Sequence, residues 1–304
     1  MDYDRFAVAP RARPGTWGTA RRFPAAASRL HAAGRYWRQW AMGDSIRIEG
    51  GFDIEYRRIG DRAAASPTLV FLHEGLGCVA LWRDFPDRVA DALGWPAVVY
   101  SRVGYGRSTP WATPPAADFM HRAAREELPR VLEALRIERP VLVGHSDGGS
   151  IALIAAAGAV RALAVATIAP HVFVEAVTVE AIRRTRDAWH AEDLATRLGR
   201  YHDDPSATFH GWTGVWLSEA FADWNIESFL PAIACPVLAI QGDADQYGSL
   251  EQVHRIGRGV RRGIVREIRG SRHSPHLDAP DVTRTLVVDF LREALASGST
   301  PGNP

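Results

Sequence analysis

The chain has 304 residues, 46% of them hydrophobic, and its 36 Lys and Arg nearly balance 35 Asp and Glu to give a formal net charge of +1. This length fits one large domain, or one domain with an insertion, and the composition excludes a globally disordered chain. The balanced charge, and the absence of any run near the roughly 20 apolar residues of a membrane span, predict a small-molecule partner rather than a nucleic acid or a membrane.

The first 41 residues differ from the rest of the chain in composition. Residues 5–41 contain no acidic side chain, whereas Arg, Pro and Ala are frequent. Arg21 and Arg22 suggest a twin-arginine export signal, but the apolar core of roughly 7–15 residues that such a signal needs does not follow them. We therefore predict that residues 1–41 form a flexible N-terminal extension, or precede a natural start at Met42, and that the protein is cytoplasmic.

In chain order, the hydrophobic pattern predicts an alternation of strands and helices. Residues 45–58 alternate apolar and polar around Gly50 and Gly51, which indicates a hairpin at the edge of a sheet. Short apolar runs, typical of strands buried on both faces, then alternate with segments of helical spacing. The predicted strands are 68–72, 97–100, 141–143, 163–168, 236–240 and 264–268, and the predicted helices are 81–93, 124–135, 149–157, 250–256 and 283–294. This alternation predicts an α/β fold with a mostly parallel sheet wrapped by helices.

The alternation breaks between residues 171 and 230, which are helical in pattern and rich in aromatic side chains. A helical insertion at this point would form a cap (171–230) over the carboxyl edge of the sheet, where open α/β sheets bind ligands. The core would then comprise residues 42–170 and 231–298. The aromatic residues either line the substrate site, for which Trp212 and Trp216 are our candidates, or only pack the cap onto the core.

The strongest chemical signal is the segment 144–149 (GHSDGG), which directly follows one predicted strand and precedes a predicted helix. A tight turn from strand to helix exposes and aims a serine hydroxyl, and it requires small residues two positions before and after the serine. Gly144 and Gly148 meet this requirement. No Lys follows the second glycine, so the turn is not a phosphate-binding P-loop. Ser146 is therefore the candidate nucleophile.

A glycine-rich loop after the first buried strand, residues 73–77 (HEGLG), is the candidate oxyanion hole. Acyl transfer places negative charge on the carbonyl oxygen, so preorganised N–H groups must already point toward it. We expect one donor to be the N–H of Asp147 and the second to come from this loop, at Gly75. Glu74 is a candidate substrate contact, whereas His73 is expected to brace the loop. The fifth residue is Gly, so the loop is not an HExxH motif and we predict no metal.

Two later turns offer an acid and a base. One carries Asp243 and Asp245, of which Asp245 has the longer reach, and a carboxylate there can orient an imidazole and stabilise its charge. The loop after the next strand carries His273 and His276, one of which should contact Ser146. A His-x-x-His pair also occurs in metal sites, but no third ligand accompanies it. We favour Asp245 and His273, which gives the chain order Ser, Asp, His.

From about residue 45 to residue 296 the chain resembles the α/β-hydrolase superfamily, in particular its small capped carboxylesterases, lactonases and carbon–carbon bond hydrolases. The matching segments are the loop 73–77, the turn 101–108 (SRVGYGRS), the elbow 144–148, the turn 242–245, and His273 followed by Pro280. The resemblance implies a mostly parallel eight-stranded sheet and no cofactor. It also implies Asp245 as the acid, from its place after the turn glycine, and His273 as the base, from its place before Pro280.

Two departures from the family pattern bear on the site. The oxyanion loop more often reads His-Gly, whereas this chain has His73-Glu74, which leaves the second N–H donor open. The residue before the base is more often Gly, whereas this chain has Arg272. A cation beside His273 would lower the pKa of the imidazole unless the guanidinium points to solvent.

The sequence therefore predicts a serine hydrolase that cleaves the carboxylic ester, or lactone, of a fairly apolar small molecule through Ser146, His273 and Asp245. One alternative is a carbon–carbon bond hydrolase that acts on a ring-fission diketone. Another is a non-catalytic ligand receptor with the same fold. A dinucleotide-dependent oxidoreductase is disfavoured, because no G-x-G-x-x-G follows the first buried strand.

Overall fold

Eight strands form one sheet within residues 43–61, 66–190 and 193–296, the parts of the chain that this computed structural model describes. The predicted extension 1–41 lies outside the described residues. The strands are β1 (Asp44–Ile48), β2 (Phe52–Ile59), β3 (Thr68–Leu72), β4 (Ala97–Tyr100), β5 (Pro140–His145), β6 (Val165–Ile168), β7 (Val237–Gly242) and β8 (Gly263–Ile268). Every residue of β3 to β7 is buried, because helices cover both faces, and these strands therefore consist of nearly continuous apolar runs.

The strand order in the sheet is β1-β2-β4-β3-β5-β6-β7-β8. β1 and β2 form the predicted antiparallel hairpin at one edge, β2 pairs antiparallel with β4, and the remaining neighbours are parallel. The eight-stranded, mostly parallel sheet predicted from the sequence is thus confirmed. From β3 the chain continues to β4 on one side, and from β5 it continues to β6, β7 and β8 on the other. The carboxyl ends of β3 and β5 therefore lie side by side at the position where open α/β sheets bind ligands.

Helices pack on both faces of the sheet. They are α1 (Phe85–Leu93), α2 (Phe119–Arg122), α3 (Leu128–Ala134), α4 (Asp147–Ile154), α5 (Ala176–Asp187), α6 (Leu194–Leu198), α7 (Pro205–Trp216), α8 (Glu251–Gly259), α9 (Pro275–Asp278) and α10 (Pro280–Ala296). Phe85 and Val89 of α1 and Leu291 of α10 belong to the core on one face. Leu128 of α3 and Leu153 of α4 belong to the core on the other. Of the helices described, none is both long and apolar enough to cross a bilayer.

One predicted helix, 81–93, is interrupted in the structure. A 3₁₀ turn (Val79–Trp82) comes first, and α1 begins at Phe85. Between them, Arg83 has a φ of 54°. Hydrophobic spacing carried no sign of this break, because a left-handed backbone angle at a non-glycine residue depends on packing around it.

The segment between β6 and β7, here called the inserted segment (169–236), contains α5, α6 and α7 within its described residues. α7 begins where the carboxylate of Asp204 accepts a hydrogen bond from the Ala207 N–H at 2.8 Å, with Pro205 in the first turn. Its buried aromatic side chains join the core on the α3 and α4 face. The division of the chain into a core and a cap stays a prediction.

Candidate active site

The turn between β5 and α4 brings Ser146 to the carboxyl edge of the sheet. Ser146 has a φ of 52° and a ψ of −121°, a backbone conformation that L-residues rarely adopt. A Cβ at Gly144 would lie 2.2 Å from the carbonyl O of Gly148, and a Cβ at Gly148 would lie 2.1 Å from the carbonyl O of Leu72. The turn therefore forms only where both positions lack a side chain, which explains the glycine spacing in the sequence.

We expect Gly148→Ala to lower the free energy of unfolding by about 2 kcal/mol or more, because the new methyl group would overlap the backbone of β3. Gly214→Ala is the matched control. Gly214 is exposed in α7, and apart from its chain neighbours and the backbone of its own helix no atom lies within 4 Å of where its Cβ would be. Alanine there should be neutral, or stabilise the protein by about 0.5–1 kcal/mol. Thermal unfolding followed by circular dichroism measures both; a wild-type Tm for Gly148→Ala would contradict the packing argument.

Three side chains from distant parts of the chain form a continuous hydrogen-bonded series. The Oγ of Ser146 lies 2.9 Å from Nε2 of His273, and Nδ1 of His273 lies 2.9 Å from each carboxylate oxygen of Asp245. When Nδ1–H donates to Asp245, Nε2 is left to accept the hydroxyl proton. All three side chains are almost completely buried. The arrangement has the geometry required to deprotonate a hydroxyl during attack.

The alternative acid and base, Asp243 and His276, contact other parts of the protein. Asp243 is in an exposed turn, where its carboxylate accepts a hydrogen bond from the Gly270 N–H at 2.6 Å. The ring of His276 packs against those of Trp82 and His145, at centroid distances of 5.0 and 4.6 Å. The pair that meets at Ser146 is therefore the one that the sequence analysis favours.

Burial controls the protonation state of the imidazole. It lowers the pKa of His273 to about 4, although the neighbouring Asp245 carboxylate opposes this shift. For Asp245, burial acts to raise the pKa, but the charge and hydrogen bond of His273 outweigh it and the pKa is lowered. At neutral pH the imidazole is thus uncharged and the carboxylate is ionised. Burial, rather than the adjacent Arg272 considered in the sequence analysis, is the main cause of the histidine shift.

The loop 73–77 lies beside the elbow because Leu72, at the end of β3, pairs with Gly144 of β5. His73 is fully buried, and its Nδ1 donates to the carbonyl O of Glu74 at 2.7 Å. Its Nε2 accepts a hydrogen bond from the backbone N–H of Arg102 at 3.0 Å. His73 therefore braces the loop, as the sequence analysis expects.

Trp212 of α7 connects the inserted segment to both sides of Ser146. Its indole N–H donates to Oδ2 of Asp147 at 3.1 Å. The indole also packs so closely on Gly75 that a Cβ there would lie 2.1 Å from the indole nitrogen. In the described part of the chain, the backbone N–H groups of Gly75 and Asp147 donate to no other protein group. Both remain free to bind an oxygen of a ligand.

A small cavity opens onto Ser146. Its walls include all three predicted substrate contacts, Glu74, Trp212 and Trp216. The empty space, counted with its open mouth, is about 310 Å³. The enclosed part of this space holds only about one or two water molecules. The cavity is thus tight around the hydroxyl, and most of its surface is apolar.

Tyr247 and His171 also line this cavity, although the sequence patterns predict neither of them as a site residue. The backbone N–H of Tyr247 donates to Oδ1 of Asp245 at 2.8 Å, and its ring centroid lies 4.8 Å from that of His273. The ring of His171 lies 5.7 Å from that of His273, and burial lowers its pKa to about 3. A signal was available for His171, because it follows β6 at the same carboxyl edge as Ser146.

A larger groove, about 1180 Å³ with its open part, lies away from these residues. Its walls include Phe52, Trp111, Phe119 and Glu126, but not Ser146 or the two side chains bonded in series with it. Volume alone would therefore select a groove that lacks the hydrogen-bonded series. The hydrogen-bonded series identifies the smaller cavity as the candidate site.

Comparison with known proteins gives consistent similarities. A family model described as "Alpha/beta hydrolase family" matches residues 69–286. The human "Serine hydrolase BPHL" is 28% identical over 204 residues, which cover 64% of this chain and 69% of the human protein. The mouse protein of the same name is 26% identical over 250 residues, which cover 80% of this chain and 84% of the mouse protein.

Solved structures are similar over most of the chain. The enol-lactonase from Burkholderia xenovorans LB400 superposes with a TM-score of 0.65 at 20% identity, covering 82% of this chain and 100% of the enzyme. At 20% identity, this similarity shows that the two proteins share a fold.

Proposed function

The chain belongs to the alpha/beta hydrolase family and is a hydrolase, and we propose that it cleaves carboxylic esters or lactones of small molecules. The observation that carries this proposal is the series of hydrogen bonds from the hydroxyl of Ser146 through His273 to Asp245. The largely apolar walls of the cavity support a substrate that is small and mostly apolar. In this proposal Ser146 is the nucleophile, His273 the general base and Asp245 the residue that orients the base.

In the acylation step, Oγ of Ser146 attacks the ester carbonyl carbon while Nε2 of His273 takes the hydroxyl proton. Asp245 stays ionised and stabilises the imidazolium that forms. The bond to the leaving alcohol then breaks, and His273 returns the proton to the leaving oxygen. The alcohol departs and the acyl group remains on Ser146. A lactone reacts in the same way, except that the alcohol stays attached to the acyl group.

Deacylation follows the same steps, with a water molecule as the nucleophile. Nε2 of His273 takes a proton from a water molecule as that water attacks the acyl carbon, and the proton then passes to Oγ of Ser146. The carboxylic acid is released and the enzyme returns to its starting state. In both steps the backbone N–H groups of Gly75 and Asp147 would bind the carbonyl oxygen as it gains negative charge. Removing one donor of this kind typically costs roughly 10²–10³ in kcat.

The test of this function is covalent labelling combined with turnover. A fluorophosphonate probe should form one adduct, mapped by mass spectrometry of the tryptic peptides to Ser146, and p-nitrophenyl butyrate hydrolysis should stop in parallel. A rapid release of nitrophenol in the first turnover would report the acyl-enzyme. Labelling of a different serine, or continued turnover after stoichiometric labelling of Ser146, would contradict the proposal.

The same assay separates the alternatives. A carbon–carbon bond hydrolase would consume a coloured ring-fission diketone faster than p-nitrophenyl esters. A non-catalytic receptor would bind ligands but turn over neither compound. We expect ester turnover to dominate.

The pH dependence of turnover should show an acid limb near pH 4. The base must be uncharged to accept a proton, and burial lowers the pKa of His273 to about 4. Acidification from pH 7 to pH 5 should therefore leave kcat/KM for a neutral ester nearly constant, with loss as the pH falls through 4. An unperturbed histidine would lose activity near pH 6.5. Stopped assays after brief incubation at each pH measure the limb.

Asp147 provides the control for this profile, because burial raises its pKa to about 6. If activity falls near pH 6 in the wild type but not in Asp147→Asn, the loss is caused by protonation of the Asp147 carboxylate. The expectation for His273 then stands. A limb near pH 6.5 that persists in Asp147→Asn would mean that the imidazole titrates normally.

A further inference from the structure

The carboxylate of Asp147 is buried beside the nucleophile with one oxygen unused. The residue is 1% exposed and lines the cavity that opens onto Ser146. Its Oδ2 accepts the hydrogen bond from the Trp212 indole, whereas Oδ1 has no hydrogen-bond partner. The indole of Trp216 interacts favourably with this carboxylate, but its N–H makes no hydrogen bond of standard geometry. A buried carboxylate oxygen without a partner is costly, so its presence beside the reacting atoms calls for a ligand.

The residues that line the cavity carry negative charge and no cation of their own. Glu74 and Asp147 are the acidic side chains on its described walls, and neither Arg nor Lys is among them. Burial acts to raise the pKa of Glu74, but His145 outweighs it and keeps Glu74 ionised. Burial lowers the pKa of His171 to about 3 and that of His273 to about 4, so neither imidazole is charged at neutral pH.

Arg102 is the cation whose charge acts on Asp147, and it makes no hydrogen bond to the free oxygen. Its guanidinium is almost fully buried behind the oxyanion loop, where it donates to the carbonyl O of Glu74 at 3.1 Å. Burial raises the pKa of Asp147 to about 6, and the positive charge of Arg102 limits this rise. The carboxylate is therefore mostly ionised at pH 7 and above, and Asp147 lines the cavity that a substrate would occupy.

We propose that Asp147 binds a protonated amine on the acyl part of the substrate, so that the preferred substrates are esters of small amino acids. The assignment rests on the proposed ester hydrolysis at Ser146. Asp147 directly follows the nucleophile, so its carboxylate is close to the carbonyl carbon of the bound ester. An amine one or two bonds from that carbon can therefore donate a hydrogen bond to the carboxylate. A protonated amine would give Oδ1 a hydrogen-bond donor, and its positive charge would offset the negative charge of Glu74 and Asp147.

The size of the cavity limits the rest of the acyl group. Thr178, Ile182 and Tyr247 also line the cavity, and its enclosed part holds only about one or two water molecules. A short side chain, such as that of alanine, requires less rearrangement of these walls than a long fatty acyl chain.

The experiment compares two esters that differ only in the amine, L-alanine benzyl ester and benzyl propanoate. Benzyl alcohol release is followed by chromatography at pH 7.0, between the pKa of Asp147, about 6, and that of an α-amino group, about 7.7. The wild type should favour the amino ester in kcat/KM by at least about tenfold, as expected for a charge-assisted hydrogen bond. Asp147→Asn, which keeps the shape but not the charge, should lower this preference by at least about tenfold.

Glu127→Gln is the matched control, because Glu127 is another carboxylate whose pKa burial raises, to about 7, but it lies outside this cavity. Its preference for the amino ester should equal that of the wild type. A wild-type preference for benzyl propanoate, or an unchanged preference in Asp147→Asn, would overturn the amine site while fluorophosphonate labelling of Ser146 still stands. If neither ester is hydrolysed and Ser146 does not label, the proposed function itself fails and the amine site with it.

A second measurement needs no variant and covers the case in which Asp147→Asn does not fold. Isobutylamine, protonated at pH 7.0, and isobutanol have similar shapes and should compete for the space beside Ser146. The amine should inhibit hydrolysis of benzyl propanoate at a concentration at least about tenfold lower than the alcohol. Equal inhibition by the two compounds would overturn the proposal.

Discussion

Ser146→Ala should lower kcat for p-nitrophenyl butyrate by about four to six orders of magnitude, because the variant has no oxygen to carry the acyl group. The remaining rate would come from substrate binding and the oxyanion donors alone. The substitution removes a single buried atom, so the Tm should stay close to that of the wild type. The variant should also lose the fluorophosphonate adduct.

Ser150→Ala is the control for this experiment. Ser150 is a buried serine one turn further along α4, and its hydroxyl donates to the carbonyl O of His171 at 2.6 Å rather than to an imidazole. Its loss should reduce stability modestly, by about 1 kcal/mol, while turnover and labelling persist. Should the two variants behave alike, or should Ser146→Ala keep wild-type turnover, the nucleophile would have to be sought elsewhere.

His273→Ala should lower kcat by about three to five orders of magnitude while substrate binding changes little, because the hydroxyl of Ser146 loses its proton acceptor. The effect belongs to kcat rather than KM, since the imidazole acts on the reacting proton and not on the ground-state substrate. Steady-state kinetics with p-nitrophenyl butyrate separates the two parameters.

His276→Ala is the paired control, three positions along the same loop. His276 packs against Trp82 and His145, so alanine there should lower the Tm by removing ring contacts but keep kcat within about tenfold of the wild type. The opposite pattern, with a silent His273→Ala and an inactive His276→Ala, would exchange the two roles.

Some of this architecture could be predicted without any structure, because it depends on local backbone chemistry. The elbow is an example. Its backbone angle at Ser146 and its contact with β3 exclude side chains at Gly144 and Gly148, so the requirement appears as a short pattern in the sequence. The buried strands are another, since a strand covered on both faces must be a continuous apolar run.

The choice between Asp243 and Asp245, and between His273 and His276, depends on contacts between segments far apart in the chain. Reach from the turn and the resemblance favoured Asp245 and His273, but the sequence itself carries both members of each pair. Only the folded chain separates them, by turning Asp243 outward to the Gly270 N–H and His276 toward Trp82.

The amino-acid sequence by itself determined the order of strands and helices, the turn that presents Ser146, and a short set of candidate partners, because each depends on residues close in the chain. Only the tertiary structure decided what surrounds the hydroxyl. The contact of Trp212 with Gly75 and Asp147, the position of Tyr247 and the unpaired oxygen of Asp147 join segments far apart in the chain. No periodicity or motif encodes such contacts, since they arise from how the inserted segment packs on the edge of the sheet.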